Sequence, residues 1–127
     1  MEHLTISNDK LNLNDLSINS KILFDECENL DININKKILK LGFFDCKDIR
    51  IKTNGIIHKI EIYKSHNIFI KCNGNVPLFD IQNSTNICIS NINDINVYAK
   101  NVMYILHNNI HLNVGIWDEK YFKSIIQ

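Results

Sequence analysis

Glycine and proline are scarce in this chain, with four and one among 127 residues. None of the glycines sits in a GxGxxG or GKS/T context, so no phosphate-cradling loop is present. Neither a GxSxG elbow nor an HExxH pair occurs. An excess of one charge is also missing: 14 basic residues balance 14 acidic ones. A neutral chain argues against generic binding to nucleic acid or to an anionic membrane. No apolar run has the length of a membrane span, and the amino terminus carries no signal-peptide pattern, so a cytoplasmic location is expected. The four cysteines, Cys27, Cys46, Cys72 and Cys88, form no CxxC, and buried reduced thiols are expected, although Cys27 and Cys46 are placed closely enough for a disulfide. His107 and His111 would be metal-like only on a helix, and Asn108-Asn109 between them reads as a turn. No metal or cofactor is expected.

What the chain does have is a repeat. Asn8, Cys27, Cys46, Ser65 and Ser84 follow one another at a pitch of 19 residues, and a fixed period near 20 marks a solenoid. Lys10, Asn29, Asp48, Asn67 and Asn86 come two residues later in each unit. Leu11, Leu30, Ile49, Ile68 and Ile87 come three later, and Leu13, Ile32, Ile51, Ile70 and Ile89 five later. Offset fourteen gives Ile22, Leu41, Ile60, Phe79 and Tyr98; offset sixteen gives Phe24, Phe43, Ile62 and Ile81, then breaks at Lys100. Apolar residues two apart are strand spacing with one face buried. Two short strands per unit make one coil, so the fold expected is all-β: a right-handed parallel β-helix of about five to six coils, stacked about 4.8 Å apart. A single domain over 1–127 is expected, with coils over about 5–101 and a C-terminal hairpin and tail over 102–127. The Asn/Asp column at offset two fits a bend, since these residues tolerate left-handed backbone. The Cys/Ser column is read as a small-residue ladder at a tight corner.

Two outward positions gather a candidate partner surface. Offset four carries Asp31, Arg50, Phe69 and Cys88, and offset six carries Asn33, Lys52, Lys71 and Ser90. Arg50, Lys52, Phe69 and Lys71 therefore cluster on the middle coils, beside a bend with Asn73, Gly74 and Asn75. Basic residues around an aromatic suit an acidic protein surface. Lys21, Lys40 and Lys59 form a second basic column at offset thirteen. Asp31, Asp45, Asp48, Glu61 and Asp80 are assigned to different offsets, so no stacked carboxylate pair, and no enzyme, is expected.

The stretch from Ser65 to Pro77 resembles the carboxy-terminal domain of adenylyl cyclase-associated proteins. Gly74, Val76 and Pro77 match that family's Gly-Lys-Val-Pro turn, with Asn75 where the family has Lys, and Phe79, Ile81 and Ser84 continue the match. The units beginning at Cys27 and Cys46 are similar to the family's Asn-Cys-Lys-x-Cys/Val-x-Ile pattern, and Tyr121-Phe122-Lys123 is a weaker echo. The resemblance covers about residues 5–105. It implies binding to monomeric actin, preferentially its ADP form, and promotion of nucleotide exchange without chemistry of the domain's own. Arg50, Lys52, Phe69, Lys71, Asn73, Asn75 and Pro77 would contact the partner. It also implies a homodimer formed by exchange of C-terminal strands, which here would use Val102, Tyr104, Leu106, Ile110, Leu112 and Val114. The helical amino-terminal domain and proline-rich linker of full-length members have no counterpart in this sequence.

Two other readings follow from the same repeat. The chain is also similar to tubulin-folding cofactor C, in which an arginine promotes GTP hydrolysis. Cys46 and Arg50 have that spacing, but the two Gln and the His of that motif are missing. An arginine there would stabilise charge on the transferring phosphoryl group. A structural β-helix that polymerises end to end is the third reading, and the irregular unit from Lys100 onward argues instead for a finite end.

Overall fold

The computed structural model describes residues 2–6, 15–112 and 119–126. The first repeat unit, with Asn8, Lys10, Leu11 and Leu13, lies outside the described residues, as does Val114. Eleven strands run in the order β1 (Glu2–Ile6), β2 (Ser20–Asp25), β3 (Glu28–Ile34), β4 (Ile38–Phe44), β5 (Lys47–Thr53), β6 (Ile56–Tyr63), β7 (His66–Cys72), β8 (Phe79–Ser90), β9 (Asp94–His107), β10 (Ile110–His111) and β11 (Lys120–Ile125). No helix occurs among the described residues, so none is long and apolar enough to cross a membrane.

The strands wind as a parallel β-solenoid of about five coils. β2, β4, β6 and the first half of β8 pair in parallel to make one wall, extended at its N-terminal edge by β1. β3, β5, β7 and the second half of β8 make the other. Long β8 and β9 each turn the corner within one strand, and β9 pairs with β8 along both walls. Side chains alternate across each wall, and the inward ones stack like over like. Leu30, Ile49, Ile68 and Ile87 share one register line, and Ile32, Ile51, Ile70 and Ile89 another. All but the half-buried Leu30 are at most 3% exposed. Each such Ile contributes about 1.5–3 kcal/mol by leaving water. Phe24 and Phe43 stack face to face, with centroids 5.3 Å apart. Below them the same column narrows through Ile62 and Ile81 to Ala99.

The corner column is as predicted, and it is held by hydrogen bonds between coils. Cys27, Cys46, Ser65 and Ser84 are all buried. The Cys46 amide donates to Ser65 Oγ and the Ser65 amide to Ser84 Oγ, both at 3.1 Å. Each serine hydroxyl in turn donates to a carbonyl, Tyr63 O or Gln82 O. All four cysteines are free. Burial pushes the Cys46 thiol up to about 11 and Cys72 up to about 12, so neither offers the thiolate that disulfide chemistry needs at neutral pH.

Left-handed backbone flanks this corner on both sides. Asn29, Asp48, Asn67 and Asn86 have φ of 56–59°, and their amides form a ladder: Asn67 Nδ2 donates to Asp48 Oδ1 and Asn86 Nδ2 to Asn67 Oδ1. A second left-handed column, which the sequence reading missed, comprises Glu26, Asp45, Lys64, Asn83 and Asn101. Glu and Lys carry no left-handed preference. They are held there because their amides donate across the coils, Glu26 to Phe44 O and Lys64 to Gln82 O.

The last coil departs from the 19-residue pitch. Phe79 pairs with Val97, Ile81 with Ala99 and Ser84 with Val102, each 18 residues on. The assignment of Tyr98 to the inner ladder is therefore corrected: Val97 fills that place, and Tyr98 faces outward beside Asp80. The slip also accounts for Lys100, which pairs with Gln82 on the outside while Ala99 continues the core. Because side chains alternate, one deleted residue moves each neighbour to the opposite face. The coil ladder runs on to His107, past the expected boundary at residue 101.

The C-terminal edge is covered by antiparallel pairing. Asn108-Asn109 forms the expected hairpin turn between β9 and β10. β11 folds back on the first half of β9. His107 ends the isoleucine column fully buried, with Nδ1 2.8 Å from Ser124 Oγ and Nε2 2.6 Å from Ile92 O. It thus ties β11 to the last coil, while His111 is exposed and paired with Leu106. The two histidines do not converge.

Tyr104 occupies the left-handed position that Asn or Asp fills in the coils before it, with φ 62°. A bulky residue in that region carries about 1–3 kcal/mol of strain. Its ring meets His111 edge-on, with centroids 6.3 Å apart. Tyr104→Asn is expected to raise unfolding stability by about 1 kcal/mol, read as a higher urea midpoint at unchanged slope. A lower midpoint would show that the ring contact outweighs the strain.

Candidate functional site: two charged outer walls

The wall of β3, β5 and β7 presents Asp31, Arg50, Phe69 and Cys88 in one register column, and Asn33, Lys52, Lys71 and Ser90 in the next. Arg50, Lys52 and Lys71 are exposed and Phe69 half-buried. The Arg50 guanidinium lies over the Phe69 ring, 5.7 Å from its centroid. Asp31 is its register neighbour, yet no ion pair joins them, and no carboxylate pairs with Lys52 or Lys71 among the described residues. An open depression of about 420 Å³ runs along this column, lined by Asp31, Arg50, Phe69, Lys71, Cys88 and Asn109 among others. The sequence-predicted cluster of Arg50, Lys52, Phe69 and Lys71 is thus brought together.

The predicted bend residues sit beyond the end of β7 and do not line that depression. Asn73 and Asn75 are exposed, as is Pro77. The bend is built against the preceding coil: the Asn73 amide donates to Thr53 O, and Ile56 N to Asn75 O. Gly74 is required here, because a Cβ would stand 2.4 Å from Asn54 O. Val76 is buried and anchors the turn. Of the C-terminal residues, Tyr104 and Ile110 are 43% and 50% exposed, and Leu106 and Leu112 are half-buried. Val102 lies in the core ladder at 1% exposure, so it is not a surface residue.

The opposite wall corrects a second expectation. Glu61 and Asp80 do stack, as direct register partners between β6 and β8. They share offset fifteen, which the sequence reading overlooked. Lys40 pairs with Glu61, and Lys59 bridges Glu61 at 3.7 Å and Asp80 at 3.4 Å. The Tyr63 hydroxyl lies 2.6 Å from Glu61 Oε2 and 2.7 Å from Asp80 Oδ2; with one hydrogen, it donates to one carboxylate at a time. Gln82 Nε2 donates to Asp80 Oδ1. The pair is thus saturated by cations and donors, which leaves neither carboxylate as a free base. Burial and the two carboxylates push the Tyr63 phenol well up.

The family model described as adenylate cyclase associated (CAP) C terminal matches residues 1–104. The chain belongs to this family. The crystal structure of the cyclase-associated protein from Cryptosporidium parvum is similar, with a TM-score of 0.66 and 21% identity, covering 99% of this chain and 73% of that one. At that identity the likeness speaks for the fold. No curated protein matches the chain. Membership in the CAP C-terminal family supports an actin-related, non-enzymatic role.

Glu61 sets a pH dependence. Burial raises its carboxyl, but hydrogen bonds from Lys40 and Tyr63 and the charges of Lys40 and Lys59 outweigh burial, so it sits below its ordinary 4.5. A depressed carboxyl contributes stability that is present above the unfolded-state value and lost as pH falls through the folded-state value. Acid titration below about pH 4.5 should therefore destabilise the native chain more steeply than Glu61→Gln. Parallel slopes in urea midpoint against pH would contradict this.

Proposed function

We propose that this domain binds monomeric actin, preferentially the ADP form, and promotes exchange of its nucleotide. The observation that carries the reading is the basic column around Phe69, which has no carboxylate partner among the described residues and borders an open depression on this wall. Because Arg50, Lys52 and Lys71 lack such a partner among the described residues, an acidic protein surface is their natural complement. Phe69 adds a half-buried aromatic anchor, the residue class enriched at interface centres. Asn73, Asn75 and Pro77 extend the contact from the adjoining bend. The domain supplies no reacting group: tighter binding to the open-cleft form of actin than to the closed one is sufficient to speed nucleotide release. An actin partner implies a cytoplasmic, cytoskeletal setting.

A second copy would pair along the C-terminal edge. Tyr104 and Ile110 offer exposed apolar surface there, with Leu106 and Leu112 beside them. An arginine finger is the poorer reading for Arg50, whose guanidinium rests on Phe69 in a motif lacking the Gln and His of the GTPase-activating relatives.

The test is release of a fluorescent nucleotide from ADP-loaded monomeric actin. The chain should accelerate release, and Arg50→Ala or Phe69→Ala should weaken the effect by about tenfold or more, as hot-spot truncations do. Acceleration that persisted unchanged in both variants would remove this wall from the interface.

A further inference from the structure

Gly42 lies in the interior of β4, at an outward-facing position between Leu23 and Glu61. Glycine weakens a strand, and its presence there calls for a bulge, a bend or the close approach of another group. No left-handed φ is present at Gly42, and the one register shift of β4 lies between Ile38 and Lys40. Packing does not demand it either. A Cβ would meet only Leu23 Cδ1 at 3.0 Å, the flexible end of a side chain, and its next contact is at 3.9 Å. Gly42 is buried, and beside it lies a depression of about 100 Å³, lined by Lys21, Ile22, Leu23, Lys40, Gly42 and Glu61. That is the volume of about three liquid waters, enough for one aliphatic side chain.

The rim has a definite charge character. Lys21, Lys40 and Lys59 stack in register. Glu61 is already engaged by Lys40, Lys59 and Tyr63. Lys21, between Lys40 and His3 of β1 in the register, has no carboxylate partner among the described residues. An apolar floor beside this ammonium complements an apolar side chain close to a carboxylate.

We infer that the wall of β2, β4 and β6 carries a second docking site, separate from the Arg50 wall, for an extended segment of another protein. That segment places one aliphatic side chain over Gly42 and, two residues away on the same face, a carboxylate on Lys21. The two walls face away from each other across the core, so both partners fit on one copy at once.

The test is an amide chemical-shift titration of the full chain with a capped peptide in which one leucine and one glutamate stand two residues apart in a glycine background, so that both side chains fall on the same face of the extended segment. Saturable shifts at Lys21, Leu23 and Gly42 are expected. They should weaken several-fold when lysine replaces the glutamate, when alanine replaces the leucine, and in Lys21→Ala or Gly42→Val. Gly42→Ala should unfold at no lower urea concentration than the native chain, yet bind the peptide more weakly. Absent shifts, equal shifts with the lysine peptide, or shifts centred on Arg50 and Phe69 would overturn the site. So would a destabilised Gly42→Ala, since glycine would then be serving the packing of Leu23. Nucleotide release from actin should be unaffected by Lys21→Ala, which separates this site from the actin-binding wall.

Discussion

At the corner of the middle coils a buried polar group must find its partner one coil away, and this requirement fixes the register of the solenoid there. The Cys46 amide finds Ser65 Oγ, and the Ser65 amide finds Ser84 Oγ. A slip of one residue would strand these groups at about 1–3 kcal/mol each. The same slip would turn each buried isoleucine outward. Polar and apolar constraints therefore agree, and the left-handed columns on either side of the corner follow. Residues as unsuited as Glu26 and Lys64 accept φ near 50° because the coil above and the coil below leave their amides one place to donate.

That register gives the two walls their different characters. On the wall of β2, β4 and β6, lysines fall beside acids and most of the charge is neutralised within the molecule. On the wall of β3, β5 and β7, Lys52 and Lys71 fall beside each other, asparagine and serine, and Arg50 lies over Phe69 without an ion pair to its neighbour Asp31, so their charge stays available to a partner. A chain with no net charge can thus present one strongly basic surface. The ends are handled by composition. The core column narrows from Phe24 to Ala99 as it nears the C-terminal end, and the isoleucine column ends on His107, whose polar ring ties down the antiparallel strand that covers the last coil.

Much of this was legible in the sequence, because a β-solenoid writes its contacts at a constant separation. The inner ladders, the Cys/Ser corner, the Asn/Asp bend and the Arg50–Phe69 wall all follow from counting. What was not legible has specific causes. The column of Glu26 and Lys64 has no residue preference to betray it, since hydrogen bonding between coils imposes its geometry. The exchange of Val97 for Tyr98 in the core depends on one residue lost from the last turn, and both side chains are apolar enough to satisfy the pattern. Glu61 and Asp80 share a common offset of fifteen and so their stacking is legible in the repeat, whereas the Lys40, Lys59 and Tyr63 contacts that neutralise the pair depend on side-chain reach across the coils. The space over Gly42 depends on how far the Leu23 side chain reaches, which no periodicity encodes.

The central claim is the lateral register, and cross-strand nuclear Overhauser contacts read it directly. Backbone contacts should join Ile49 to Ile68 and Ile68 to Ile87, 19 residues apart, and then Ile87 to Ile105, 18 apart. Contacts from Ile87 to Leu106 as the in-register partner, or none between successive coils, would contradict the account.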